Sequence, residues 1–297
     1  MSTSCQHDHH HGHHHGVSAG DTSVRNIAIA FVLNLSFAVI ELVGGWWTQS
    51  IAIQADAIHD FGDSIALAAA LGLQYWSSAH PSDRFTFGFK RLSLLSALAT
   101  SFVLLAGSVF IIGRAVERLA NPVAPNLNGM FFLAVLGVTV NGAAAWKMSH
   151  GVTQNERALS WHMMEDLLGW VAVLVGSIVM RFADVPWIDA VLSLAIAGIV
   201  IMGASRNFWA SSQLFLQAAP NVDLTAIRHE LGAIPRITSV DSLKVWSLDG
   251  AHHVASVQIT IPQDMSAADR GSLKSDVRDV FKRFGEFETN IECIESI

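Results

Sequence analysis

Six apolar runs dominate the first two thirds of the chain, at residues 26–47, 51–76, 92–112, 130–148, 161–180 and 187–203. Each approaches the ~20 residues that a helix needs to cross ~30 Å of hydrocarbon. Six is an even number, so both ends of this region are expected on one side of the membrane. Arg25, Arg84, Lys90, Arg91, Lys147, Arg157 and Arg206 flank that side, and Arg114, Arg118 and Arg181 flank the other. The excess of basic residues marks the cytoplasmic face, which predicts a cytoplasmic N terminus and a cytoplasmic C-terminal region. The stretch GRAVERLANP is the exception, because it places Arg114 and Arg118 on the opposite face.

After residue 206 the period changes. Residues 222–231 read as a short helix with Asp223 as its cap. In SLKVWSL, Leu243, Val245 and Ser247 alternate with Lys244 and Trp246, and in SVQITI, Val257, Ile259 and Ile261 alternate with Gln258 and Thr260. This period of two predicts half-buried strands. Asp249-Gly250 between them reads as a hairpin turn. Ser266 then caps a helix with Leu273, Val277, Val280, Phe281 and Phe284 on one stripe, and residues 287–295 form a last strand. The expected organisation is a polar tail over 1–24, a six-helix polytopic membrane domain over 25–206, and an αββαβ two-layer α+β domain over 207–297.

Composition agrees. The chain has 297 residues, 51% hydrophobic and 14% charged, against about a quarter charged in soluble domains. A net charge of −7 spread along the chain gives no reason to expect nucleic acid as a partner. Cys5 and Cys293 lie at opposite ends, which argues against a disulfide framework. The first 24 residues are polar and carry no apolar stretch of the kind a secretory signal needs.

The chemistry is concentrated in two of the apolar runs. The second contains ADAIHDFGDS, with Asp56, His59, Asp60 and Asp63, and the fifth contains WHMMED, with His162, Glu165 and Asp166. His59 and Asp63 are four apart, as are His162 and Asp166, so on a helix each pair shares one face. A carboxylate at the centre of a membrane helix costs about 2.5–3.5 kcal/mol on insertion scales, and a shared cation offsets that cost. Two imidazoles and two carboxylates are ligands that zinc accepts in a tetrahedral site. The same pairs also fit a proton relay or an interhelical hydrogen-bonded cluster, and spacing alone leaves those readings open. No cysteine lies in any span, which disfavours a soft thiolate site, and neither HExxH nor GxSxG occurs, which disfavours a hydrolase.

Asp60 and Glu165 each neighbour a candidate ligand but fall on a different helix face, and Asp56 lies off the ligand pair. Asp60 and Glu165 are expected at the water-filled mouth or as hydrogen-bond partners of the ligands. Asn34, Glu41 and Asn141 are polar groups at membrane depth, where hydrogen bonding between helices is their expected role. In the tail, His7, His9, His10, His11, His13, His14 and His15 form a low-complexity tract that binds divalent metals weakly. It reads as a cytosolic antenna that concentrates metal near the pore.

Together these stretches resemble the cation diffusion facilitator family of zinc-transporter-like cation efflux proteins. SIAIQADAIHDFGDS resembles the family's S-x-A-L-x-A-D-x-x-H-x-x-x-D signature, FTFGFKR its loop after span two, DLLGWVAVLVG the text after the second pair, and VWSL the tryptophan-bearing strand of its metallochaperone-like (ferredoxin-like) cytosolic domain. The resemblance implies a homodimeric secondary active transporter in membrane lipid. It further implies no enzyme but the export of a divalent cation in exchange for protons. His59, Asp63, His162 and Asp166 fall on the family's transport ligands, and a two-His, two-Asp set resembles the zinc-selective branch. The compact chain leans toward a bacterial inner membrane with both termini cytoplasmic. The alternatives are a Co²⁺, Cd²⁺ or Ni²⁺ exporter, or a membrane metal sensor that does not transport. The cytosolic domain departs from the family pattern: Lys244 and Gln258 stand where histidines are usual, as do residues near Glu288 and Thr289, and Phe89 stands at a loop histidine. His252 and His253 are the local candidates to replace that cluster, although surface histidines of a hairpin are the simpler reading.

Overall fold

The computed structural model describes residues 19–77, 82–149 and 154–296; within these ranges the side chains at 19–27, 70, 73–77, 147–149 and 154–163 lie outside the described residues. Six long helices come first: α1 (Ala19–Thr48), α2 (Ile51–Ser77), α3 (Leu92–Ala120), α4 (Leu127–Ser149), α5 (Gln154–Phe182) and α6 (Trp187–Phe215). Among the described residues, Ala28–Thr48, Leu92–Ala120, Leu127–Trp146 and Trp187–Phe215 are long and apolar enough to cross a membrane. Helices α2 and α5 are of matching length but hold Asp56, Asp60 and Asp63, and Glu165, Asp166 and Arg181, respectively. The helices outlast the apolar runs, α3 reaching Ala120 and α6 reaching Phe215, because a helix keeps its hydrogen bonds after it leaves the hydrocarbon.

The helices pack mainly in pairs, α1 with α2, α3 with α6 and α4 with α5, and α2 also meets α3, α5 and α6. This places α2 at the centre. Large apolar side chains such as Leu33, Val43, Phe102, Val109, Phe132 and Ile199 point outward, whereas Glu41, Asp56, Asp60, Ser101 and Asn141 are buried. Lipid is as apolar as leucine, so close packing rather than hydrophobic burial joins the helices. Gly137 of α4 illustrates this: a methyl group there would overlap the indole of Trp170 on α5.

The start of α2 is capped from another helix. Gln49 takes φ +57° and turns the chain sharply from α1. Asp189, in the first turn of α6, then accepts from Ser50 Oγ at 2.6 Å and from the backbone N–H of Ile51 at 2.7 Å and of Ala52 at 3.4 Å. Ser50 Oγ accepts in turn from Ile53 N–H at 3.3 Å. A helix start leaves its first N–H groups without partners, and a carboxylate there also complements the helix dipole.

The C-terminal region holds α7 (Leu224–Gly232), β1 (Ser239–Ser247), β2 (His253–Ile261), α8 (Ala267–Lys282) and β3 (Phe287–Glu295). Asp223 caps α7, accepting from Thr225 and Ala226 N–H at 2.9 Å each, and Ser266 caps α8 through Asp269 N–H at 3.2 Å. The sheet order is β1-β2-β3, with β1–β2 antiparallel and β2–β3 parallel. Ile227 and Leu231 of α7 and Leu273, Val277 and Phe281 of α8 pack with Val257, Ile259 and Ile291 of the sheet. The αββαβ order and the strand faces are those that the alternation predicts.

The hairpin turn is held by Asp249, which accepts from Ala251 N–H at 2.9 Å and His252 N–H at 2.7 Å, while its other oxygen lies 2.7 Å from His252 Nδ1. Gly250 takes φ +96°. This turn abuts the end of α6, where Leu214 Cδ1 would lie 3.7 Å from a Cβ on Gly250. Partial burial opposes the Asp249 charge, but the N–H groups of His252 and Ala251 outweigh it and hold the carboxyl below the ordinary carboxylate range.

Two outcomes follow. Asp189→Ala leaves the buried start of α2 without its acceptor and is expected to cost about 2 kcal/mol, read as a lower thermal midpoint in detergent; Asp189→Asn, which keeps an acceptor oxygen, should lose less. For Asp249 the folded pKa lies below the unfolded one, so its stabilisation is complete above the unfolded value of ~3.9 and is lost as the pH falls toward the folded value. The stability difference between the parent chain and Asp249→Asn should therefore shrink between about pH 5 and pH 2, measured by unfolding at each pH.

Candidate metal site

The two histidine-carboxylate pairs sit on α2 and α5, the helices that depart from a purely apolar composition. His59 Nε2 lies 3.7 Å from Asp63 Oδ2, one turn along α2, and 3.7 Å from Asp166 Oδ1 on α5. An imidazole nitrogen and two carboxylate oxygens thus surround one region between two helices. A tetrahedral zinc centre with bonds of ~2.0–2.1 Å has ligand atoms about 3.3–3.5 Å apart. Among the described residues no group of three or more His, Cys, Asp and Glu is drawn in to full metal-binding spacing, and the two His59 distances are each a few tenths of an ångström wider than that. His162 lies on α5, but its side chain is outside the described residues.

A cavity of about 590 Å³ opens beside the trio, lined by Asp56, His59, Glu165 and Asp166 and walled by apolar residues of α5 and α6 such as Leu168, Leu192 and Ile199. Asn207 of α6 also lines it and donates from Nδ2 to Ser101 Oγ of α3 at 3.0 Å. The apolar walls leave the carboxylates and the imidazole as the cavity's polar end.

The neighbouring acids separate. Glu165 is exposed at the cavity, in keeping with a place at a mouth. Asp60 does not face water: it is buried, because α1 covers that side of α2. Asn34 of α1 donates from Nδ2 to the Asp60 carbonyl at 2.8 Å and to Ser64 Oγ at 3.0 Å, and Ser64 Oγ donates to the same carbonyl at 3.0 Å. This is the interhelical bonding expected of Asn34. Asp56 is buried against Gly169 of α5, its Oδ1 3.7 Å from where a Cβ would stand. Glu41 is 1% exposed, and its carboxyl lies against that of Asp60. The strongest charges acting on it are Asp60 and then Asp56. Asn141 is also buried, and its Nδ2 finds no partner among the described residues. Sequence reading noted Glu41 without linking it to the α2 acids, and it missed Asp189 altogether. The only signal for Asp189 was an acid at the start of an apolar run.

The antenna residues His7, His9, His10, His11, His13, His14 and His15 lie outside the described residues. His252 is tied to Asp249, and His253 Nδ1 lies 3.1 Å from Ser247 Oγ with its ring against Phe287. Burial holds the His253 imidazole below the usual histidine range, with Asp249 pulling the other way. Both line a cavity of about 570 Å³ together with Lys90, Lys282, Glu286 and Glu288, where two ammonium groups and two carboxylates balance. Lys244 is exposed, and Gln258 Nε2 donates to Glu292 Oε2 at 3.2 Å, so these two positions carry no imidazole and make surface contacts of the sheet.

Known proteins match along almost the whole length. Residues 27–216 match the family described as the cation efflux transmembrane domain, and residues 219–292 match the cation efflux protein cytoplasmic domain. A Bacillus velezensis protein named cadmium, cobalt and zinc/H(+)-K(+) antiporter is 30% identical over 259 residues, 84% of this chain and 83% of its own. The metal cation efflux system protein CzcD of Cupriavidus metallidurans is 30% identical over 238 residues, 79% of this chain and 75% of its own. The zinc transporter ZitB of Escherichia coli is 30% identical over 254 residues, 83% and 81% of the two chains. With a six-helix bundle whose central helix carries the acids, an αββαβ domain after it, and both family matches in register with those two parts, the chain belongs to the cation diffusion facilitator family of cation efflux transporters, as a multi-pass membrane protein.

Proposed function

We propose that this chain is a Zn²⁺/H⁺ antiporter that exports zinc from the cytoplasm. The observation that carries the reading is the approach of His59 to both Asp63 and Asp166 at 3.7 Å across the α2–α5 seam. His162, one turn before Asp166, completes a two-nitrogen, two-oxygen set. Zinc reaches it through the cavity beside α5 and α6, past Glu165, whose charge attracts a cation at the mouth. Asp56 stands behind the ligands, and Asn34 holds the turn of α2 that carries His59.

Proton coupling follows from the ligand chemistry. Zinc binds neutral imidazole and ionised carboxylate, so loading the site releases protons. On the far side, imidazole protonation competes with the metal and favours its release. The proton then returns on the empty site. The basic residues flanking one face support cytoplasmic termini, and the match of 219–292 to the family's cytoplasmic domain supports the same side and a homodimer joined there. The name of the Bacillus relative includes cadmium and cobalt, which favours a wider metal range as the second reading.

The test is pH-gradient-driven zinc flux in proteoliposomes. Asp63→Ala and His162→Ala are each expected to lower it beyond the ~10–100-fold typical of lost outer-sphere partners, with the fold retained. Unchanged flux in both variants would sink the four-ligand reading. A parent chain that binds zinc but moves none under the gradient is a sensor instead. Competition by Cd²⁺, Co²⁺ and Ni²⁺ in the same assay ranks the metals. A further outcome concerns Asn34→Ala, which leaves every ligand in place and should reduce flux by about 10-fold or more.

A further inference from the structure

At the end of the bundle remote from the C-terminal domain lies another cavity, of about 530 Å³. Its floor is Ile58 of α2, its walls are Leu42 and Trp46 of α1 and Phe110 of α3, and Arg114 and Arg118 stand at its rim. The walls open sideways, since Leu42, Trp46 and Phe110 are largely exposed and Trp46 is 79% exposed. In a membrane that exposure is toward lipid.

The depth of the arginines follows from helix geometry. Arg114 is 23 residues beyond Arg91 on α3, or about 34 Å at 1.5 Å per residue, against ~30 Å of hydrocarbon. Its guanidinium therefore stands at headgroup level, where Trp46 and Trp47 at the end of α1 also mark the interface. Arg118 is partly engaged: its Nη1 donates to the Val123 carbonyl at 2.8 Å, and it lies in the field of Asp189. The Arg114 side chain makes no hydrogen bond or ion pair among the described residues. Two guanidiniums one turn apart repel a divalent cation, so the groove does not fit the metal's path. They fit an anion with several oxygens, and the apolar walls below them fit a chain attached to that anion.

We propose that this groove binds a phospholipid with an anionic headgroup, its phosphate on Arg114 and Arg118 and an acyl chain lying between α1 and α3. This accounts for the basic residues on the face where the charge asymmetry of the chain does not expect them. Lipid rather than free phosphate is favoured because the walls continue into the lipid-facing surface.

The full-length chain in neutral detergent is titrated with phosphatidylglycerol, phosphatidylcholine or inorganic phosphate, and binding is read from the rise in thermal midpoint. Phosphatidylglycerol should raise the midpoint more than phosphatidylcholine, and inorganic phosphate should not. Arg114→Gln should weaken phosphatidylglycerol about fivefold, and the Arg114→Gln/Arg118→Gln pair about 25-fold; Arg114→Lys should retain most of the preference. Arg181→Gln, on the same membrane face but outside the groove, should bind as the parent does. Because Arg114 holds nothing else in place, its single variant reads the site even where the double variant fails to fold. Equal effects of the two lipids on the parent chain, an unchanged preference in Arg114→Gln, or an equal response to inorganic phosphate would each overturn the proposal.

Discussion

Carboxylates cannot face lipid, and the bundle is arranged around that constraint. Helix α2 carries Asp56, Asp60 and Asp63 within two turns and on one broad face, and that face has to turn into the bundle. It is accordingly surrounded by α1, α3, α5 and α6. The outer faces of the other helices are apolar for the complementary reason. Burial of α2 also fixes what each neighbour must supply: α1 brings Asn34 against the turn of Asp60, α6 brings Asp189 to the first N–H groups, and α5 brings Asp166 to His59.

These contacts act at different heights along one helix. The Asp189 cap anchors the end of α2 remote from the C-terminal domain, and the Asn34 bonds anchor its middle. His59 and Asp63 project between these anchors, on the face toward α5. Their direction is therefore set by contacts that touch no ligand atom. Holding charged groups this close together has a cost in stability that the surrounding packing must offset.

Much of this was legible in the sequence because its signals are periodic. Helical spacing put His59 with Asp63, and strand alternation put Val257, Ile259 and Ile261 on one face, where the structure has them. What was not legible depends on pairing between distant segments. The α2 cap joins Ser50 to Asp189 across 139 residues, and no local pattern announces it. Sequence left Asp60 either at the mouth or beside the ligands, because periodicity says which face a residue takes but not which helix covers that face. The ends of α3 and α6 were underestimated because apolar runs measure hydrocarbon thickness, whereas helices end where capping and turns stop them. The paired histidines of the hairpin turned out to be held by Asp249 and Ser247, a local arrangement that an adjacent His-His pair does not reveal.

The fit of Trp170 over Gly137 bears on precision at a distance. Asp166 lies one helical turn before Trp170 on α5, and the indole has no room to slide without leaving the notch in α4. The approach of α4 to α5 one turn from Asp166 is thus set in part by a glycine on a helix that carries none of the candidate ligands. A side chain as small as a methyl at Gly137 would overlap the indole, so α4 and α5 could meet there only after one of them moved.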